Sequence, residues 1–226
     1  MNKVFIETYG CQMNVYDSEL VISILQKEGW QLCDSIESAD MILVNTCSIR
    51  DNAEQRVWGR LDHFLQQKRK RGELIVGVLG CMAERVKEKL LEHPVVNIVA
   101  GPDTYRKLPE MIRDLQSEPK QMDIRLSRHE TYADITPVRT DKNGVSAYIS
   151  IMRGCNNMCT YCIVPYVRGS ERSRDPHSIV KEARDLFESG YREVNLLGQN
   201  VDSYLWVDPE NPTETTDFAQ LIELVA

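Results

Sequence analysis

Three runs of apolar and β-branched residues, VFIETYG, MILVNT and LIVGVLG, each end directly at a cysteine, and Cys11, Cys47 and Cys81 stand 36 and 34 residues apart. Each run has the composition of a strand, and each is followed by a polar-capped stretch with helical spacing. A repeat of that size holds one strand, one helix and their connections, so the cysteines fall at equivalent points of three successive βα units. Units of this kind make a parallel sheet covered on both faces, with right-handed crossovers.

The first helix is expected from near Asn14, with Leu20, Val21, Ile24 and Leu25 on one face and Gly29 as its stop. The second places Ala53, Val57, Leu61 and Leu65 at helical intervals. It ends in the basic run Lys68 to Arg71, which reads as a solvated helix end. A short third helix is closed by Pro94, VVNIVAGP supplies a fourth strand, and another helix begins near Pro109. Residues 1–116 thus read as one doubly wound α/β domain. Residues 117–144 are polar and irregular, with an Asn143-Gly144 turn suited to a hairpin, and read as a linker.

A new series starts at 145. Strand SAYISIM leads into a cysteine loop and then a helix from Pro176, with Ile179, Val180, Ala183, Leu186 and Phe187 inward and Gly190 at its end. Strand EVNLL, loop GQNVDSYLW and a last helix bearing Phe218, Leu221, Ile222 and Val225 follow. Two βα units cannot close a barrel, so residues 145–226 form a small open sheet or the beginning of something longer.

A chain of 226 residues has room for two such domains. Its 42% hydrophobic and 27% charged residues describe a globular protein rather than a disordered one. The net charge of -7 gives no overall attraction to nucleic acid and leaves only local basic patches for that role. No apolar run approaches the roughly 18 to 20 residues of a membrane span, and seven cysteines, six of them in repeated local contexts, suit a reducing compartment. A cytoplasmic protein is expected.

Ligands of open α/β sheets collect outside the strand carboxyl ends, and parallel strands lie about 4.8 Å apart. Cys11, Cys47 and Cys81 on neighbouring strands would therefore fall within roughly 10 Å of one another, close enough to share one metal centre. The bland alternative is three small buried hydrophobes, and for Cys33, which has no equivalent position, packing is the expected role. Cys155, Cys159 and Cys162 form a second triplet, C-x3-C-x2-C, in a loop with Gly154, Asn156 and Asn157. Zinc with a fourth ligand from elsewhere fits that spacing, although His63, His93, His129 and His177 are scattered. An iron–sulfur cube held by three thiolates also fits and leaves one iron open to a substrate.

The segment CNNMCTYC, with an aromatic residue directly before its third cysteine, is similar to the signature of radical S-adenosylmethionine (SAM) enzymes. Together with YGCQMN, NTCSIRDNAEQRVWGRL, GCMAER, GPDTYRKLP and CIVPYVRGSERSR, the chain resembles over nearly its whole length the N-terminal half of the methylthiotransferases. That resemblance implies an auxiliary 4Fe-4S cluster on Cys11, Cys47 and Cys81, and a radical-generating 4Fe-4S cluster on Cys155, Cys159 and Cys162. The ligand missing from the second would be S-adenosyl-L-methionine. By family position Tyr161 contacts its adenine through the backbone, and Gly198, Gln199 and Asn200 meet its methionine moiety.

The implied activity is addition of a methylthio group to carbon 2 of N6-isopentenyl-adenosine beside the tRNA anticodon, with a reducing electron-donor protein as second partner. Residues 145–226 would then open a partial (β/α) barrel, whose remaining strands, with a C-terminal TRAM domain, are expected beyond this chain. Related readings take threonylcarbamoyl-adenosine in tRNA or an aspartate of a ribosomal protein as substrate. A reading of another class makes the chain a non-catalytic zinc or iron–sulfur protein. Arg153, Arg168, Arg172 and Arg174 surround the cysteine loop and are candidates for a cofactor carboxylate or tRNA phosphate, or for pairing with Glu171 and Asp175.

Overall fold

The computed structural model describes residues 2–47, 51–140 and 144–226, with 51–53 by backbone alone. The Asn143-Gly144 turn and the side chain of Ala53 lie outside the described residues. The chain divides into two compact units, Met1–Leu126 and Ser127–Ala226.

In the first unit the elements run β1 (Lys3–Tyr9), α1 (Gln12–Lys27), β2 (Gln31–Leu32), β3 (Met41–Thr46), α2 (Asp51–Arg71), β4 (Ile75–Gly80), α3 (Cys81–Val86), α4 (Glu88–Glu92), β5 (Ile98–Ala100), α5 (Leu108–Asp114) and β6 (Gln121–Asp123). The six strands make one sheet in the order β2-β1-β3-β4-β5-β6, parallel throughout. Alternation sorts the side chains. Ile42, Val44, Val76 and Val78 pack with Val57, Leu61 and Phe64 of α2 and Leu90 of α4. The opposite side of β3 meets α1, where Asn45 Nδ2 donates to Ser18 Oγ at 3.0 Å. The doubly wound arrangement expected from the repeat is therefore present, and the order reverses between β1 and β3, where crossovers leave to opposite faces.

Two strands carried no signal. β2 is a two-residue edge, and β6 is a three-residue polar edge inside the stretch expected to be linker. β6 pairs with β5, so the first compact unit runs to Leu126 rather than stopping at 116. A short edge strand needs no period-2 apolar pattern, because one of its sides faces water.

The second unit contains β7 (Ser146–Ser150), β8 (Met152–Arg153), α6 (Val164–Arg168), β9 (Arg172–Ser173), α7 (Pro176–Glu188), β10 (Glu193–Leu197), β11 (Leu205–Val207), β12 (Thr215–Asp217) and α8 (Phe218–Val225). β7 and β10 pair in parallel, as the opening strands of a (β/α) barrel do, while β8 with β9 and β11 with β12 pair antiparallel. Ala147, Ile149, Ile179, Ala183, Leu186 and Leu221 form its core. Asp175 starts α7 by accepting from the backbone N–H groups of His177 and Ser178 at 3.1 and 2.9 Å. Phe187, expected inward, is 66% exposed, and Ile222 of the last helix is 45% exposed; a sheet of two strands is narrower than the apolar stripes of the helices covering it.

Candidate metal centres

In the first unit Tyr9, Thr46 and Gly80 stand side by side as the last paired residues of β1, β3 and β4. Cys47 and Cys81 are the next residues of their strands, and Cys11 follows after one inserted glycine. The Cys47 N–H donates to Tyr9 O at 2.9 Å, which keeps these strand ends in contact past the ladder. Gly10 and Gly80 have φ of +145° and +87°. A Cβ on Gly10 would lie 2.7 Å from Cys47 Cβ, and one on Gly80 2.4 Å from Asn45 Oδ1. Only glycine brings the chains so close at these turns.

Beneath the cysteines lie two fully buried asparagines. Asn14 Oδ1 accepts from the N–H and the Sγ of Cys11 at 3.3 and 3.4 Å, its Nδ2 donates to Asn45 Oδ1 at 3.3 Å, and Asn45 Nδ2 donates to Asn14 O at 2.9 Å. This polar floor ties the turn after β1 to β3. Sequence reasoning placed Asn14 only as a helix start and missed Asn45; the available signal was a polar residue inside an apolar strand run. Cys11 caps α1 and Cys81 opens α3, positions where the helix dipole favours negative charge.

Glu84 stands one turn past Cys81, and burial pushes its carboxyl from 4.5 up to about 7, Lys87 opposing and Asp103 adding to the rise. All seven cysteines are free thiols. Among the described residues no three His, Cys, Asp or Glu side chains close round a point ion. Three thiols at adjacent strand ends are a donor set of the kind that holds an iron–sulfur cluster.

In the second unit the cysteine loop starts where β8 ends. Gly154 has φ +75°, and a Cβ there would lie 2.1 Å from Ser170 O and 2.6 Å from Gly169 O. Cys155 N donates to Gly169 O at 3.1 Å, and Cys162 N to Cys159 O at 3.0 Å. Asn157 N points at Cys155 Sγ from 3.4 Å, and Asn156 Oδ1 accepts from Glu171 N at 3.0 Å. From 154 to 163 the chain is irregular apart from one turn, so the triplet wraps in a loop and does not line one helix face. Cys155 is buried, Cys162 half-buried and Cys159 exposed; Tyr161 is 92% exposed.

Gly198 follows β10, where Leu197 partners Ser150. A Cβ on Gly198 would meet Met152 Cγ at 2.4 Å, which draws the 198–200 turn close to β8. Gln199 Oε1 is buried without a hydrogen-bond partner. An orphaned acceptor at a strand carboxyl end fits a ligand that brings N–H donors, such as an amino group. Asn200 differs, since its carbonyl closes a local turn by accepting from Ser203.

The four arginines are not surface groups: Arg153, Arg168, Arg172 and Arg174 are 1%, 4%, 6% and 2% exposed. Arg174 Nη1 pairs with Glu182 Oε2 at 2.6 Å, and Glu182 Oε1 pairs with Arg139 at 2.5 Å. Of the acids expected as partners, Glu171 instead accepts from Ser203 Oγ, and Asp175 caps α7.

Residues 3–101 match the family described as Uncharacterized protein family UPF0004, and residues 149–224 match the Radical SAM superfamily. The chain is 57% identical to a protein of Amoebophilus asiaticus, covering 99% of this chain and 48% of that protein. It is 54% identical to proteins of Bacteroides fragilis and Christiangramia forsetii, in each case over 99% of this chain and 49% of the relative. All three bear the name tRNA-2-methylthio-N(6)-dimethylallyladenosine synthase. The chain spans about half the length of these curated relatives. Among solved structures, the radical S-adenosylmethionine methyltransferase TsrM of Kitasatospora setae has a like fold, with TM-score 0.58 and 12% identity over 88% of this chain and 48% of that one. Each matched stretch encloses one cysteine triplet, and from end to end the chain, with more than half of all residues shared, is similar to these methylthiotransferase relatives.

Proposed function

We propose that this chain is the cluster-binding part of a tRNA methylthiotransferase that places a methylthio group on carbon 2 of N6-isopentenyl-adenosine. What carries the reading is two separate cysteine triplets, one on three adjacent strand ends and one in a single loop, in a chain so similar to synthases named for that nucleoside. Cys11, Cys47 and Cys81 would hold an auxiliary 4Fe-4S cluster; Cys155, Cys159 and Cys162 would hold a second whose open iron takes S-adenosyl-L-methionine. That pair, when bound, supplies one-electron cleavage of a sulfonium and a methyl group for sulfur.

The rest is this chain's work. Gly10 and Gly80 let the strand ends approach, the Asn14–Asn45 floor fixes the Cys11 turn, and Gly154 seats the second loop against Gly169 and Ser170. Gln199 Oε1 offers an acceptor to the cofactor's amino group, and the exposed Tyr161 segment offers backbone to its adenine. An adenine in a tRNA loop can be splayed out of its stack, as chemistry at a ring carbon demands. A reducing electron-donor protein completes the reaction, and a cytoplasmic setting keeps the thiols reduced; no helix among the described residues is long and apolar enough to cross a membrane.

Mass spectrometry of tRNA nucleosides from a deletion strain tests the substrate. Loss of 2-methylthio-isopentenyl-adenosine with accumulation of its unthiolated precursor is expected. Persistence of the methylthio form rejects the assignment, and a threonylcarbamoyl-adenosine defect moves it to the related branch.

A further inference from the structure

Residues 127–132 fall in the stretch that reads as linker, yet they meet Arg153 and Arg172 of the β8–β9 ladder from which the cysteine loop springs. Tyr132 is fully buried and has φ +59°, a left-handed conformation that a bulky aromatic keeps only where its surroundings over-determine it. Its N–H donates to Glu130 Oε1 at 2.7 Å. The Arg153 guanidinium stands over its ring, 4.9 Å from the centroid. Arg153 is the last residue of β8, two before Cys155.

Arg153 is also the direct cross-strand partner of Arg172, which sets two like charges on one face of a very short ladder, an arrangement that must be held from outside. Arg172 is held by carbonyls. Its Nη1 donates to Ser127 O at 2.7 Å and Ser170 O at 3.0 Å, its Nε to Glu130 O at 3.1 Å, and its Nη2 to Arg168 O at 3.2 Å. The same short segment therefore receives both guanidiniums, one on a ring and one on its carbonyls, and Ser170 O is also the atom that leaves no room for a Cβ on Gly154.

We propose that Tyr132 is a positioning residue for the Cys155–Cys162 centre, acting through Arg153: its ring fixes the place of a buried positive charge beside the loop and the path by which the chain enters Cys155. The proposal rests on the cluster reading above. Local charge and burial set the potential of an iron–sulfur cluster, and a fixed cation favours its reduced, more negative state. Freeing Arg153 from the ring should lower the potential.

The test uses the full 226-residue chain carrying Cys47→Ala, reconstituted anaerobically so that the loop cluster is observed alone, with its midpoint potential read by EPR-monitored redox titration. Tyr132→Phe keeps the ring and is expected to titrate at the parent's potential with the parent's line shape. Tyr132→Leu should shift to lower potential, in the direction of Arg153→Met, and adding it to Arg153→Met should shift nothing further. Tyr132→Leu at the parent's potential, or Phe and Leu shifting alike, overturns the proposal. If Tyr132→Leu fails to hold iron, Arg153→Lys decides. A potential near the parent's supports a charge held on the ring, and a shift as large as that of Arg153→Met refutes it. A parent that takes up zinc without sulfide removes the cluster reading and this role together.

Discussion

Glu84 holds its Oε2 buried against Gly101, without a hydrogen-bond partner. Burial lifts its pKa from 4.5 to about 7. A carboxyl with a raised folded pKa binds more protons folded than unfolded, so stability is greatest below the unfolded value and falls as pH rises through about 7. Glu84→Gln should be near neutral at pH 5 and more stable than wild type at pH 8, by about 1–3 kcal/mol in urea titrations at the two pH values. Cys159→Ala makes a separate residue-scale case. The two triplets lie in different units, so the variant should lose about half its iron after reconstitution and keep the auxiliary cluster's EPR signal; loss of all iron contradicts two independent centres. All six candidate ligands could be picked from spacing and resemblance. Glu84 and Asn14 could not be read as site residues, because a buried polar role on a helix is invisible until the strands are paired, and Asn45 left only the trace of a polar residue inside an apolar strand run.

At the scale of elements, α7 is tied to its neighbours by Glu182, which serves Arg174 and Arg139 with one oxygen each. Removing it takes the carboxylate from the buried Arg174 and the half-buried Arg139. Glu182→Ala is expected to destabilise the second unit by about 3–5 kcal/mol, measured as loss of its cooperative unfolding while the first unit melts as before. Gly154→Ala sets a Cβ onto backbone oxygens at a positive φ. It should destabilise the loop by at least about 2 kcal/mol and leave the chain with about half its iron. The long elements were legible because apolar period and punctuation agreed: β1, β3, β4 and α7 stand where the sequence put them. β2, β6 and the β11–β12 hairpin were not legible, since strands of two or three residues are too short to show a period and hold their place through a neighbour's hydrogen bonds. The inward turn expected of Phe187 failed for a related reason, the narrowness of the sheet beneath it.

For the whole molecule, composition bounded little beyond a globular, acidic chain, and the ordered set of motifs carried the family. Anaerobic reconstitution is expected to give about eight iron and eight sulfide per chain, four of each from each triplet, by metal and acid-labile sulfide analysis; stoichiometric zinc without sulfide would point to a structural metal protein. The two triplets also differ in when they come into being. Cys155, Cys159 and Cys162 are neighbours in any conformation, so a nascent, unfolded chain can already gather metal there. Cys11, Cys47 and Cys81 meet only once β1, β3 and β4 have aligned, so whatever machinery loads that centre must visit a finished sheet, and thermal opening of the sheet should discharge it first.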